Sequence, residues 1–295
     1  MSQKQSSKDQ VFKTLSFRDR RRRFFNKFWL GVVSAAGLIA MTPLLAIFVY
    51  IIIKGMPALN IDFFLENPKP LGESGGGMAN AIIGTSILVG LACAMGIPVG
   101  IGSGIFMSEY NQSRLASVLR FTCDILTSVP SIIVGLFAYA VLVEPLKGYS
   151  AWAGGFALAV IMIPIVARTT EEILKLIPNH IREAGLALGL PRWRVTVKIV
   201  LRGSLAGVLT GVILAIARVA GETAPLLFTA FGNNFGFRGL GQPTASLPVQ
   251  IYNYALSPYK EWHDQAWAAS FVLLCMVFLV NLLSRIVFSS RGGRS

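Results

Sequence analysis

The sequence predicts an all-α membrane protein with six transmembrane helices and both termini in the cytoplasm. Three observations carry this prediction. The 295 residues are 54% hydrophobic and only 14% charged, with a mean hydropathy of +0.61, which is too apolar for a soluble domain. The apolar residues form runs of roughly 18 residues or more, long enough to cross a hydrocarbon core as helices. The basic residues are divided unequally between alternate connecting segments.

The apolar segments lie at residues 28–53, 81–107, 117–143, 151–167, 203–231 and 266–288. We expect residues 28–288 to form one transmembrane domain between a basic tail, 1–27, and a short tail, 289–295. The basic run Arg18 to Arg23 directly precedes a span, which favours contact with anionic lipid over nucleic acid. Because the first apolar run lacks a small-residue cleavage site, we interpret it as a retained span.

Lys and Arg residues set the expected orientation. With the N-terminus inside, 21 of the 27 lie in cytoplasmic segments, five lie in external ones, and Arg218 lies in the fifth span. The positive-inside rule therefore places loop 168–202 in the cytoplasm and loops 54–80 and 232–265 outside. The second external loop contains a helix-like stretch, LPVQIYNYAL. We expect a partner to dock on this outer face.

Two rows of glycine at four-residue spacing predict close helix packing. Small residues let membrane helices approach each other where no hydrophobic force drives them together. The rows lie in the second and fifth spans, at Gly96, Gly100, Gly104, Gly203, Gly207 and Gly211.

Charged residues within the predicted spans are candidate functional residues, because burying a charge in a membrane is costly. Arg218 and Glu222 stand four residues apart, so they either neutralise each other as a structural pair or offer Arg218 to an anion. Arginine suits the planar arrangement of oxygens on an oxyanion. Asp124 in the third span either lines the same path or pairs with a basic residue such as Arg168. The candidate pathway residues are Arg218, Glu222, Thr223, Asp124 and Ser128.

Loop 168–202 is predicted to contain two short helices, one starting after Pro178 and the next after Pro191. The first presents small and apolar side chains between charged ones, which suits either a groove on a partner protein or a lipid surface. The candidate coupling residues are Ile181, Glu183, Ala184, Gly185, Leu188 and Gly189.

This loop resembles the EAA loop of ABC importer permeases, whose pattern is EAA-x3-G-x9-I-x-LP. Glu183, Ala184, Gly189, Ile199 and Leu201 match at the family spacing, whereas Gly185 and Arg202 depart from it. The resemblance implies that the loop docks on a cytoplasmic ATPase subunit and transmits its closure to the spans.

Longer segments are similar to PstA-type permeases of the high-affinity phosphate importer. They include SVPSIIVGLFAYAV, PIVARTTEEILKLIP, ARVAGETAPLLFTA and LPVQIYNYALSPYKEW, within residues 72–288. The resemblance implies a multi-pass type I importer subunit in the bacterial inner membrane, with Arg218 facing the phosphate path. It also implies three kinds of partner: a homologous PstC-type permease, a PstB-type ATPase dimer and a PstS-type periplasmic phosphate-binding protein.

Enzymatic functions are disfavoured. The sequence GESGG, from Gly72, fits an esterase pattern but lacks the flanking strand and helix, and no Walker A motif is present. The three cysteines form no metal motif, so we expect no metal and no cofactor of the chain's own, with ATP and magnesium bound by the partner ATPase. The sequence thus predicts a transport subunit for inorganic phosphate. The alternatives are a permease for sulfate or molybdate, or a secondary transporter that works alone.

Overall fold

The computed structural model describes the backbone of residues 3–70 and 75–292 and the side chains of residues 21–70 and 75–282. Within these ranges the chain forms helices, turns and loops, with no β-strand. The helices are α1 (Gln3–Gly55), α2 (Ile61–Leu65), α3 (Ala79–Glu109), α4 (Arg114–Ser128), α5 (Ser131–Leu146), α6 (Ala151–Lys175), α7 (Asn179–Ala187), α8 (Arg192–Ala220), α9 (Ala224–Thr229), α10 (Leu247–Ala255) and α11 (Lys260–Gly292).

The chain divides into two compact units, residues 1–53 and residues 54–295. The first unit lies within α1, which runs from the basic tail into the first apolar segment without interruption. Pro43 lies inside this helix. The hydroxyl of Thr42 donates a hydrogen bond to the carbonyl of Leu38, 3.0 Å away.

Five helical stretches in the described part of the chain are long and apolar enough to cross a membrane. They are Arg21–Ala58, Ala79–Glu109, Ala151–Lys175, Arg192–Ala220 and Lys260–Leu282. A sixth span is completed only if α4 and α5 count together, because they meet at a bend of 105°. The expected all-helical architecture is confirmed.

The prediction of a continuous third span at 117–143 is wrong. Val129 and Pro130 both have extended backbone angles, and they separate α4 from α5. Proline lacks the N–H that would continue the helix, and its ring disfavours helical geometry at the preceding residue. The segment is therefore two helices that point in different directions.

The predicted bounds of the fourth and fifth spans are also wrong. Helix α6 continues past residue 167 to Lys175, and α8 begins at Arg192 rather than at residue 203. The second short helix expected in the loop is in fact the first part of α8. No proline stands at position 202 to interrupt it. Helix α8 ends at Ala220, and α9 begins four residues later, with Pro225 in its first turn.

The glycine row of α3 lies against α6. A Cβ atom added at Gly100 would lie 2.7 Å from the Val166 Cβ, and one at Gly104 would lie 2.6 Å from the Ala167 carbonyl oxygen. Neither position has room for a larger side chain. In α8, Gly207 and Gly211 face α6 in the same way, whereas Gly203 has open space around it. Helix α6 is therefore the centre of the packing, with α3 and α8 against it.

The two long loops pack on the start of α3 and on α11. The expected short helix is present as α10, and a core cluster unites side chains from α2, α3, α10 and α11. Tyr254 stacks on Trp262 with ring centroids 4.5 Å apart. Burial raises the pKa of the Tyr254 phenol above its ordinary value. The described residues of these two loops form a packed layer.

Candidate functional site

Helices α4, α6 and α8 converge around a cavity of about 880 Å³. Three of the five candidate pathway residues, Asp124, Ser128 and Arg218, lie in its wall, although they come from helices far apart in sequence. The complete lining is Asp124, Thr127, Ser128, Pro164, Ile165, Arg168, Thr169, Glu172, Leu214, Ala217 and Arg218. Both polar and apolar side chains therefore face the space.

The hydroxyl groups of the cavity wall are already engaged. Thr127, Ser128 and Thr169 each donate to the carbonyl oxygen four residues earlier in their own helix, at 2.8 Å in each case. This back-bonding uses the hydroxyl hydrogen and leaves only acceptor capacity. The strong N–H donors of the wall are consequently Arg168 and Arg218.

Arg218 is paired only loosely. It lies in the last turn of α8, and its Nε atom is 3.9 Å from the Glu222 carboxylate, which is too long for a hydrogen bond. The Arg218 side chain is 57% exposed, whereas that of Glu222 is 15% exposed. Arg218 stands two residues before the end of α8, because this helix runs from Arg192 to Ala220 and so starts earlier and ends sooner than the apolar segment 203–231. Glu222 and Thr223 lie in the turn after α8, outside the cavity lining.

Asp124 pairs with Arg168, and both line the cavity. The Arg168 Nε atom lies 3.2 Å from Asp124 Oδ1. The two roles considered for Asp124, pathway residue and partner of a basic residue, therefore do not exclude each other. Arg168 was expected only as a possible partner of Asp124, and Thr169 and Glu172 were not among the candidate residues, but all three line the cavity.

A buried charge cluster adjoins the cavity. The Glu171 carboxylate has no solvent exposure and receives three cations: Arg120 Nε at 2.5 Å, Lys175 Nζ at 2.6 Å and Arg168 Nη1 at 2.9 Å. Arg120 also donates to the carbonyl oxygens of Asn111 and Met107. This cluster was not among the features predicted from the sequence. The helical spacing of residues 168, 171, 172 and 175 was the available signal, but these charges were assigned to a loop.

Helix α7 carries the candidate coupling residues. Glu183, Ala184, Leu188 and Gly189 are exposed, with Leu188 at 81%, and Ile181 is half-buried. Gly189 ends the helix with φ of +76°, a conformation that glycine adopts without steric cost. Gly185 differs from the others because it is buried, and a Cβ added there would lie 3.0 Å from both Val195 and Ile199. Gly185 lets α7 pack on α8.

Arg182 joins α7 to two other helices. Its guanidinium pairs with Glu109 at the end of α3, at 3.1 Å, and donates to the carbonyls of Leu174 and Ile177 at the end of α6, at 2.9 and 2.6 Å. Leu174 lies in the last turn of α6, where its carbonyl also accepts from the Ile177 N–H at 3.3 Å, and Ile177 lies two residues beyond the helix. Arg182 therefore connects α7 with the end of α3 and the end of α6.

We searched the described part of the chain for metal sites, cysteine pairs and the esterase-like motif. No group of three or more His, Cys, Asp or Glu side chains is placed to hold a metal there. Cys93, Cys123 and Cys275 are free thiols. Most of the esterase-like sequence, including its serine, falls in residues 71–74, outside the described residues.

Sequence comparison matches residues 96–289 to the family described as "Binding-protein-dependent transport system inner membrane component". A "Phosphate transport system permease protein PstA" from Pasteurella multocida is 45% identical over 272 residues, which cover 92% of this chain and 97% of that one. A probable PstA from Methanocaldococcus jannaschii is 37% identical over 260 residues, covering 88% and 91%.

Solved structures share the fold. A chain of the MetNI methionine ABC transporter, in an inward-facing conformation, superposes with a TM-score of 0.57 at 18% identity, covering 72% of this chain and 96% of that one. A chain of an amino acid ABC transporter gives 0.55 at 16% identity, covering 72% and 92%. The architecture is that of an ABC importer permease. The chain belongs to the inner membrane components of binding-protein-dependent transport systems, and within them to the family of PstA phosphate transport permeases.

Proposed function

We propose that this chain is the subunit through which inorganic phosphate crosses the bacterial cytoplasmic membrane, in an importer driven by ATP. The observation that carries the proposal is the loosely paired Arg218 in the wall of the α4/α6/α8 cavity. The names of the curated relatives support phosphate as the substrate.

Arg218 would supply a positive site for the passing anion. Its guanidinium is always charged and offers a planar fork of N–H donors to phosphate oxygens. Its side chain is more than half exposed, so that little reorganisation is needed before an anion can reach it. Transport also requires release, and an arginine contact in a water-filled cavity is weak enough to break.

We further propose that a partner ATPase drives the cycle through α7. The chain has no Walker A motif of its own, so ATP and magnesium would be bound by that partner. The exposed residues Glu183, Ala184 and Leu188 would dock in a groove of the ATPase. Arg182 would then pass the motion to α3 and to α6, and α6 supplies side chains both to the cavity wall and to the Glu171 cluster.

The assembly would contain a PstC-type permease as the second membrane subunit, two PstB-type ATPase subunits and a PstS-type phosphate-binding protein. The exposed wall of the cavity suits completion by a homologous permease. The packed layer of loops around α10 offers a platform for the binding protein on the outer side. Both chain termini would lie in the cytoplasm, as the distribution of basic residues indicates.

ATP-driven uptake of radiolabelled phosphate into proteoliposomes that hold the full complex tests this function. We expect uptake that requires ATP and is unaffected by excess sulfate. Competition by sulfate or molybdate would instead indicate a general oxyanion permease. Uptake by this chain alone, without an ATPase, would indicate a secondary transporter and would overturn the proposal.

A further inference from the structure

The cavity contains a second arginine that is held from two sides. Arg168 Nη1 donates to the buried Glu171 carboxylate at 2.9 Å, and Arg168 Nε faces Asp124 at 3.2 Å. The two partners differ sharply in exposure, since Glu171 is fully buried and the Asp124 side chain is 58% exposed. One contact is therefore fixed in the protein interior, and the other lies at the surface of the cavity.

The fixed contact orients the guanidinium. Glu171 Oε2 accepts from Arg168, while Glu171 Oε1 is occupied by Arg120 and Lys175. The carboxylate is thus clamped from both sides and cannot rotate away without leaving a buried cation unpaired, which is costly. As a result, the Nε edge of Arg168 is directed toward Asp124 and the cavity.

The contact with Asp124 is replaceable. A carboxylate and an oxyanion present similar oxygen acceptors to a guanidinium, and the exchange of one for the other at an exposed position costs little desolvation. The hydroxyl groups of Thr127, Ser128 and Thr169 donate their hydrogens to carbonyls of their own helices. They therefore offer no hydrogen-bond donor to an anion in the cavity. Arg168 and Arg218 come from different helices, α6 and α8, that face the same space.

We propose that Arg168 is a second anion-binding residue of the cavity, with Glu171 as its positioning residue and Asp124 as the partner that the anion displaces. This inference rests on the proposed function, since it assigns residues within the same phosphate path. Two arginines on separate helices would hold a tetrahedral anion from two directions. A change in the α6–α8 spacing would then weaken both contacts together and release the anion.

The test compares variants of the full complex, reconstituted with saturating phosphate-loaded binding protein. Radiolabelled phosphate uptake and ATP hydrolysis are measured side by side, and their ratio is the readout. Arg168→Gln should lower the ratio by about tenfold, the factor expected for one charge-assisted hydrogen bond. Arg168→Lys, which keeps the charge but loses the fork, should give an intermediate ratio.

Arg202→Gln is the control, because Arg202 is an exposed arginine on α8 that neither lines the cavity nor contacts Glu171. Its ratio should stay at the wild-type value. An unchanged ratio in Arg168→Gln would overturn the proposal, and so would an equal loss in Arg202→Gln. If Arg168→Gln does not assemble, the ratio in Arg168→Lys decides by the same criterion.

The outcome for Arg218 separates this inference from the proposed function. Loss of uptake in Arg218→Gln together with a normal ratio in Arg168→Gln would overturn only the role of Arg168. Normal uptake in both variants would overturn the phosphate path itself.

Discussion

Glu171 and Glu172 are neighbours on α6 with opposite environments. Glu171 is fully buried among three cations, whereas Glu172 is exposed in the cavity wall. A buried charge is tolerated only when it is paired and hydrogen-bonded, and the three contacts at 2.5 to 2.9 Å provide this. The two residues therefore provide a matched pair of substitutions.

We expect Glu171→Gln to destabilise the protein by about 3 kcal/mol, because it leaves three cations around a neutral group. Glu172→Gln should change stability by less than about 0.5 kcal/mol, as is typical of exposed positions. Denaturant unfolding of the purified chain in detergent measures both. Equal stability of the two variants would show that the cluster contributes nothing to the fold.

The sequence pointed to Arg218 and Asp124 because charges in apolar runs are conspicuous, and the structure places both, with Ser128, in the wall of one cavity. The sequence did not indicate Glu171. Its partner Arg120 lies 51 positions away, and nothing in one sequence reports such a contact. The sequence also could not give the distance between Arg218 and Glu222, which is 3.9 Å.

Among the elements, α6 is the central helix, against which α3 and α8 pack. The glycines of α3 permit a close approach to it, and Gly207 and Gly211 of α8 do the same from another side. Close approach lets many weak van der Waals contacts form along the whole length of the helices. Helix α6 also carries Arg168 and Glu171. The same helix therefore provides the packing surface for α3 and α8 and the ion pairs beside the cavity.

Gly104→Val should destabilise the α3–α6 contact by about 1–3 kcal/mol, because a Cβ there would overlap the Ala167 carbonyl. The control is Gly102→Val on the same helix, where a Cβ meets nothing within 4 Å. Thermal unfolding of the two variants in detergent is the measurement. A Gly102 variant as unstable as the Gly104 variant would contradict this account of the packing.

For α7, we expect Glu183→Lys to reduce copurification of the ATPase by about tenfold or more, since it reverses an exposed charge on the docking face. Glu261→Lys makes the same change on α11, at the predicted outer end, and should have no effect. Normal ATPase binding by the Glu183 variant would remove α7 from the coupling surface.

Helix ends were the least predictable feature of the elements. The charged residues after position 167 indicated a loop, but they lie within α6. Glu171 pairs there with Arg168 and Lys175 of the same helix. Pro191 was interpreted as the start of a separate short helix, but that helix continues through α8 to Ala220. In contrast, α7 and α10 were predicted well, since Pro178 and Gly189 flank α7, and Pro248 and Pro258 mark the start and the end of α10.

For the whole molecule, the break between α4 and α5 decides the number of crossings. If the pair crosses the membrane as one bent span, the described part of the chain offers six crossings, an even number that returns the chain to its starting side. If the pair returns to its original side, the described part offers five. The basic residues favour six, because they place Lys147 outside and the loop before α4 inside.

Cysteine labelling tests this topology. In a variant whose own cysteines are replaced, we expect Lys147→Cys to react with a membrane-impermeant maleimide in intact spheroplasts. Gln112→Cys, in the turn between α3 and α4, should react only after the membrane is opened. Labelling of both positions from the same side would show that α4 and α5 form a re-entrant pair.

The central claim is that phosphate passes the α4/α6/α8 cavity and meets Arg218 there. The most direct test is ATP-driven phosphate uptake by the assembled complex carrying Arg218→Gln, with Arg202→Gln, an exposed arginine on the same helix outside the cavity, as control. We expect the Arg218 variant to assemble and to lose uptake by about tenfold or more, with the Arg202 variant unchanged. Uptake at the wild-type rate in the Arg218 variant would contradict the account.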